Sequence, residues 1–148
     1  MTQIVQRPAL TVVGMAIETK PMSPDIPALW PKFVARIDEI PHIAEPRVSY
    51  GVMRDGAGFL HYMAAVSVTS ADGLPQGMVS LQLPAGTYAA FRYPLSGLGK
   101  GFGEIFNVLL PQSGYQQAAG QPLFERYDEA FDPGNPESGV EIFIPVRK

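Results

Sequence analysis

With 148 residues, 46% of them hydrophobic and 17% charged, the chain carries enough apolar material to close the core of one domain, which excludes a disordered segment. A net charge of −3 argues against a surface built for a nucleic-acid backbone, and the absence of cysteine excludes disulfides and thiolate chemistry. No apolar run approaches the roughly 18–20 residues that cross a bilayer, and "MTQIVQRPALTVVGM" lacks the basic start and apolar stretch of a signal peptide, so a cytoplasmic protein away from membranes is expected.

In chain order, "ALTVVGMAIET" (9–19) is a β-branched run and reads as a strand that ends at the turn-rich "KPMSPDIP". "ALWPKFVARIDEI" (28–40) follows as an amphipathic helix, with Trp30, Phe33, Val34 and Ile37 at i, i+3, i+4 and i+7 and Pro41 as its stop. Pro31 sits awkwardly in it, so the helix either starts near Leu29 or kinks there. "RVSYGVM" (47–53) and "GFLHYMAAVSVT" (58–69), joined by "RDGA", form a hairpin signal.

The second half repeats this order. "GMVSLQLPAGTYAAFRYPL" (77–95) is strand material broken by "PAG". "SGLGKGFG" lacks the spacing of a phosphate loop and reads as a flexible lead-in to a second helix, "FGEIFNVLLP" (102–111). That helix has Phe102, Ile105, Phe106, Leu109 and Leu110 on one side and Pro111 at its end. "PLFERYDEAF" (122–131) and "GVEIFIPVRK" (139–148) are two further strands, separated by the turn residues of "DPGNPESG". Each half thus reads strand, helix, strand, strand. The expected fold is a single α+β domain over residues 1–148, made of duplicated βαββ units. It has an antiparallel sheet, two main helices, and a cleft at the pseudo-twofold junction.

Alternation along 123–128 puts Leu123, Glu125 and Tyr127 on one face of a strand and Phe124, Arg126 and Asp128 on the other. Glu125 is then either a surface carboxylate paired with a nearby Lys or Arg, or an interior carboxylate set among rings. Glu141 interrupts the apolar set Val140, Ile142, Ile144 and Val146, so it faces away from them. His42 and His61 stand alone without ligand spacing, so no metal and no cofactor is expected.

The ordered segments "VVGM", "IPALWPKF", "SYGV", "FLHYMAAVSV", "LPAGTYAAF", "LLPQSGY", "PLFERYDE" and "VEIFIPV" resemble the GyrI-like small-molecule-binding family, which includes the effector-binding domains of multidrug-responsive transcription regulators. The resemblance runs from about Pro8 to Val146. It implies an aromatic cleft with an interior acidic residue that takes lipophilic, preferentially cationic, molecules. On that resemblance Glu125 matches the pocket glutamate, with Tyr127 beside it, and Trp30 matches the tryptophan of the first helix. Tyr50, Tyr62 and Tyr88 match aromatic positions, and Glu141 and Phe143 match ligand-facing positions on a neighbouring strand. Phe102 and Phe106 join them as possible lining, against the plainer role of helix core. The family's regulators carry a DNA-binding region ahead of this domain, whereas this chain begins almost on its first strand. A stand-alone module that binds no nucleic acid directly, with any protein partner separate, is therefore expected. The family also implies two alternatives: a hydrolase of strained electrophilic compounds that uses the same glutamate, and a protein-binding inhibitor of the gyrase-inhibitor type.

Overall fold

The computed structural model describes residues 2–56 and 58–148. Its strands are β1 (Gln3–Arg7), β2 (Leu10–Thr19), β3 (Ser49–Asp55), β4 (Leu60–Val68), β5 (Val79–Leu83), β6 (Gly86–Pro94), β7 (Gln116–Gln117), β8 (Leu123–Tyr127) and β9 (Gly139–Arg147). Every pairing among them is antiparallel, in the order β1-β6-β9-β8-β3-β4-β2-β5, with the short β7 on β9.

That order is a palindrome about the β3–β8 pair. β2, β3 and β4 of the first half correspond to β6, β8 and β9 of the second, as the duplicated sequence order requires. Each half also has a leading strand, β1 or β5, and the two are exchanged: β1 pairs with β6 and β5 with β2. The sequence reading missed β1, whose "QIVQR" is short, and did not foresee the exchange.

The sheet buries both faces. On one, Val12, Tyr50, Val52, Met63, Leu83, Tyr88, Phe124 and Phe143 form one apolar cluster, with Val5 of β1 packed against it. Side chains from the two outermost strands, β1 and β5, meet in that cluster, so the sheet is curled into a half-barrel. The other face carries the helices, and the alternate residues of the same strands turn to it.

Helix α1 (Asp25–Val34) packs Leu29 and Phe33 on β2 and β4. It lies a turn earlier than the expected 28–40. The first turn tolerates Pro27, Pro31 falls inside the helix, and residues 37–39 form a separate 3₁₀ turn. The working stripe is therefore Ile26, Leu29, Trp30 and Phe33, and Val34 is 58% exposed. The second helix, α2, runs over residues 98–113 in three parts: α-helical Leu98–Glu104, a wider π-helical turn Ile105–Leu109, and a last α-helical turn Leu110–Ser113. The glycine-rich lead-in expected to be flexible is its first part. Gly101 is buried there against the ring of Tyr93, which would lie 2.7 Å from an ideal Cβ and so leaves no room for a side chain. Pro111 does not end α2. It lacks the donor for a normal i→i−4 bond, the Leu110 amide donates to the Ile105 carbonyl, and Gly114 at φ 81° stops the helix.

Candidate functional site

Between α1 and α2, over the β3–β8 pair, lies a cleft of about 610 Å³. The pairing that makes its floor is Gly51 opposite Glu125, flanked by Met53 opposite Leu123. Alternation turns Leu123, Glu125 and Tyr127 towards the helices, and all three line the cleft. Tyr62 of β4 and Trp30 of α1 join them, Phe102 and Phe106 of α2 form the far wall, and the loop before α1 supplies part of the mouth. Met22 in that loop, at φ 61°, reaches across to Gly99 of α2.

Glu125 is 6% exposed. Its Oε1 accepts hydrogen bonds from the Tyr127 hydroxyl (2.7 Å) and the Tyr62 hydroxyl (3.3 Å), while the Trp30 indole N–H donates to the Tyr62 oxygen (3.0 Å). Trp30 and Tyr127 also meet edge to face at 5.3 Å. No Lys or Arg lies within ion-pair distance among the described residues. Burial therefore pushes the Glu125 carboxyl up to about 7, and the two hydroxyls only partly offset it. Burial also raises the Tyr62 and Tyr127 phenols well above their usual value, and the Glu125 charge adds to it, so both remain hydroxyl donors. The other charged residues lining the cleft, Arg54 and Asp55, stand exposed at the end of β3.

Six of the ten expected site residues are thus brought together: Glu125, Tyr127, Trp30, Tyr62, Phe102 and Phe106. The remaining four, Tyr50, Tyr88, Glu141 and Phe143, do not line the cleft, and register is the reason. Tyr50 pairs with Arg126, one residue off the Gly51–Glu125 row, so it points through the other face of the sheet. Tyr88 and Phe143 lie in the apolar cluster on that face, where Phe143 stacks on Phe124 at 5.1 Å and Tyr88 meets both edge-on. Glu141 pairs with Arg126 across β8 and β9 and accepts a hydrogen bond from its guanidinium at 2.7 Å.

Gly51 is the residue the sequence reading passed over. An ideal Cβ there would sit 2.4 Å from the Tyr62 hydroxyl oxygen and 2.6 Å from Glu125 Oε1. The bare backbone at this central strand position is what lets the two side chains meet. A glycine inside a strand was the available signal, since it marks a close approach.

A curled antiparallel sheet with two helices on one face leaves between them a concave cleft with an acidic floor, the shape of a small-molecule site. The chain belongs to the GyrI-like small molecule binding domain family, whose pattern matches residues 1–147. It is 36% identical to the transcriptional regulator BrlR of Pseudomonas aeruginosa over 97% of this chain and 54% of BrlR, so it spans about half the length of that relative. In fold it is similar to SAV2435, solved bound to tetraphenylphosphonium, with a TM-score of 0.80 at 18% identity over 99% of this chain and 94% of that one. A putative transcription regulation protein of Staphylococcus aureus MU50 gives 0.74 at 19% identity over 100% and 99%. Among the described residues no helix is long and apolar enough to cross a membrane, and no group of three His, Asp or Glu side chains is placed to hold a metal.

Proposed function

We propose that this domain binds lipophilic organic cations in the cleft between α1 and α2, with Glu125 as the counter-charge and Trp30, Tyr62, Tyr127, Phe102 and Phe106 as walls. One observation carries the reading: a carboxylate 6% exposed at the floor of an aromatic cleft, held by hydroxyls and, among the described residues, by no cation. Ionising such a group away from water is costly, and a bound cation relieves that cost. The ring faces add cation–π attraction of about 0.5–2 kcal/mol each where they are well placed. Charge is selected while shape is left loose, which suits a site that meets many ligands. The tetraphenylphosphonium held by the fold relative SAV2435 is a ligand of this class, and BrlR, as a regulator, is consistent with a domain that senses what it binds.

The test is calorimetric titration of wild type and Glu125→Gln with tetraphenylphosphonium and with its neutral isostere tetraphenylsilane. Glu125→Gln should weaken the phosphonium by on the order of 1–3 kcal/mol and leave the neutral compound nearly unchanged. Equal losses for both ligands would make Glu125 a structural residue and overturn the reading.

A further inference from the structure

We infer that the cleft discriminates among cations, preferring lipophilic amines that carry an N–H in their protonated form over quaternary onium ions of the same shape. The inference rests on the reading of the cleft as a cation site and names the chemical class it takes.

It follows from how the carboxylate is held. Both hydroxyl donors, Tyr127 and Tyr62, bond the same oxygen, Oε1. The Trp30 N–H, the nearest remaining donor of the cluster, is engaged by the Tyr62 oxygen. Oε2 accepts no hydrogen bond among the described residues. No side-chain oxygen or nitrogen sealed from solvent lacks a partner among them either, so Oε2 opens onto the cleft that Glu125 lines. Glu125 therefore presents one saturated oxygen to the protein and one unsaturated oxygen to a guest.

An onium ion at that position supplies charge alone. It covers Oε2 with methyl or aryl groups and leaves the lone pairs of a buried acceptor unmet. A protonated amine supplies the same charge and donates its N–H to Oε2, forming a charge-assisted hydrogen bond. The amine gives up a hydrogen bond to water on entry and regains one from the carboxylate. The onium ion has none to regain, while the carboxylate has lost its own. A tertiary ammonium should accordingly bind about tenfold or more tightly than its quaternary homologue, the scale of one hydrogen bond to a charged group. The rings do not reverse this, because the cation–π term acts on both ligands.

Four ligands on one aryl body decide it: N,N-dimethyl-1-naphthylmethylamine, its N,N,N-trimethyl quaternary salt, and the two hydrocarbons in which carbon replaces nitrogen. Titrations run at about pH 8, where the amine is protonated and Glu125 is mostly ionised. The hydrocarbon pair measures what the extra methyl does to fit, and that ratio is divided out. The expected result is a corrected preference of about tenfold or more for the tertiary amine in wild type, collapsing towards unity in Glu125→Gln. Two cations that bind equally, or a quaternary salt that binds more tightly, while both exceed their hydrocarbons, would overturn this inference and leave the cation site standing. Hydrocarbons that bind as tightly as both cations would remove the cation site itself.

Discussion

Two carboxylates, Glu125 and Glu45, are held beside the β3–β8 pair on opposite sides of the sheet, and they are treated in opposite ways. On the helix side, Glu125 has only hydroxyl partners among the described residues, and burial raises it to about 7. On the other side, burial pushes Glu45 up, but hydrogen bonds from Ser67, Tyr50 and Arg126, together with the Arg126 charge, outweigh it and leave the group lowered. Arg126 is held between Glu45 (3.3 Å) and Glu141 (2.7 Å), one residue along β8 from Glu125 and on the opposite face. The contrast teaches that proximity in sequence to a guanidinium does nothing for a strand carboxylate. The sheet separates a satisfied ion network from an unsatisfied acid by one step of alternation. The first arrangement holds structure together, whereas the second is costly to the fold and useful to a guest.

The largest expected consequence is in pH dependence. Native Glu125 keeps its proton to about pH 7, whereas the unfolded chain releases it near 4.5. Across that window the native state binds more protons, so this group's contribution to stability falls as pH rises and is constant above it. The full swing is about 3 kcal/mol for a shift of this size. Glu45 has the reverse sign: its contribution is present above its unfolded value and is lost as pH falls. Chemical denaturation from pH 4 to 8 should show wild type losing ground to Glu125→Gln steadily through the window. A difference curve that stays flat would mean that Glu125 is not the buried acid described.

Gly51→Ala comes next, since it attacks the meeting point of Tyr62 and Glu125. The added methyl overpacks a buried site and should cost about 1–3 kcal/mol. It should also displace the Tyr62 hydroxyl, so the Trp30 emission of the variant should differ from wild type. Full stability with unchanged fluorescence would show that the two side chains do not depend on the bare backbone.

Arg126→Met should have the smallest effect. It leaves Glu45 and Glu141 without their cation, but these side chains are 32% and 29% exposed, so water replaces much of what is lost. A cost of about 1–2 kcal/mol is expected, diminishing at high salt, with cation binding in the cleft nearly unchanged. If this variant abolished ligand binding, the two faces would be coupled and the contrast between them would fail.

The duplicated order of elements, the antiparallel hairpins and the opposed faces of Glu125 and Arg126 were all legible in the chain. They rest on periodicity and turn chemistry, which act over a few residues. The helix limits were less so, because prolines 31 and 111 occupy helical positions that local rules disfavour, and packing against the sheet overrides those rules. What only the tertiary structure decided was register and partnership. Tyr50, Tyr62 and Tyr88 are equally plausible strand tyrosines by sequence. Only the pairing of Gly51 with Glu125 and of Met53 with Tyr62 puts Tyr62 at the carboxylate and sends Tyr50 through the sheet. The same register gives Glu141 to Arg126. The exchange of β1 and β5 between halves belongs here too, since it joins segments 65 to 87 residues apart. Alternation says which residues share a face. Which faces then meet depends on strands far apart in the chain finding the alignment that buries the most apolar surface, and no local pattern carries that information.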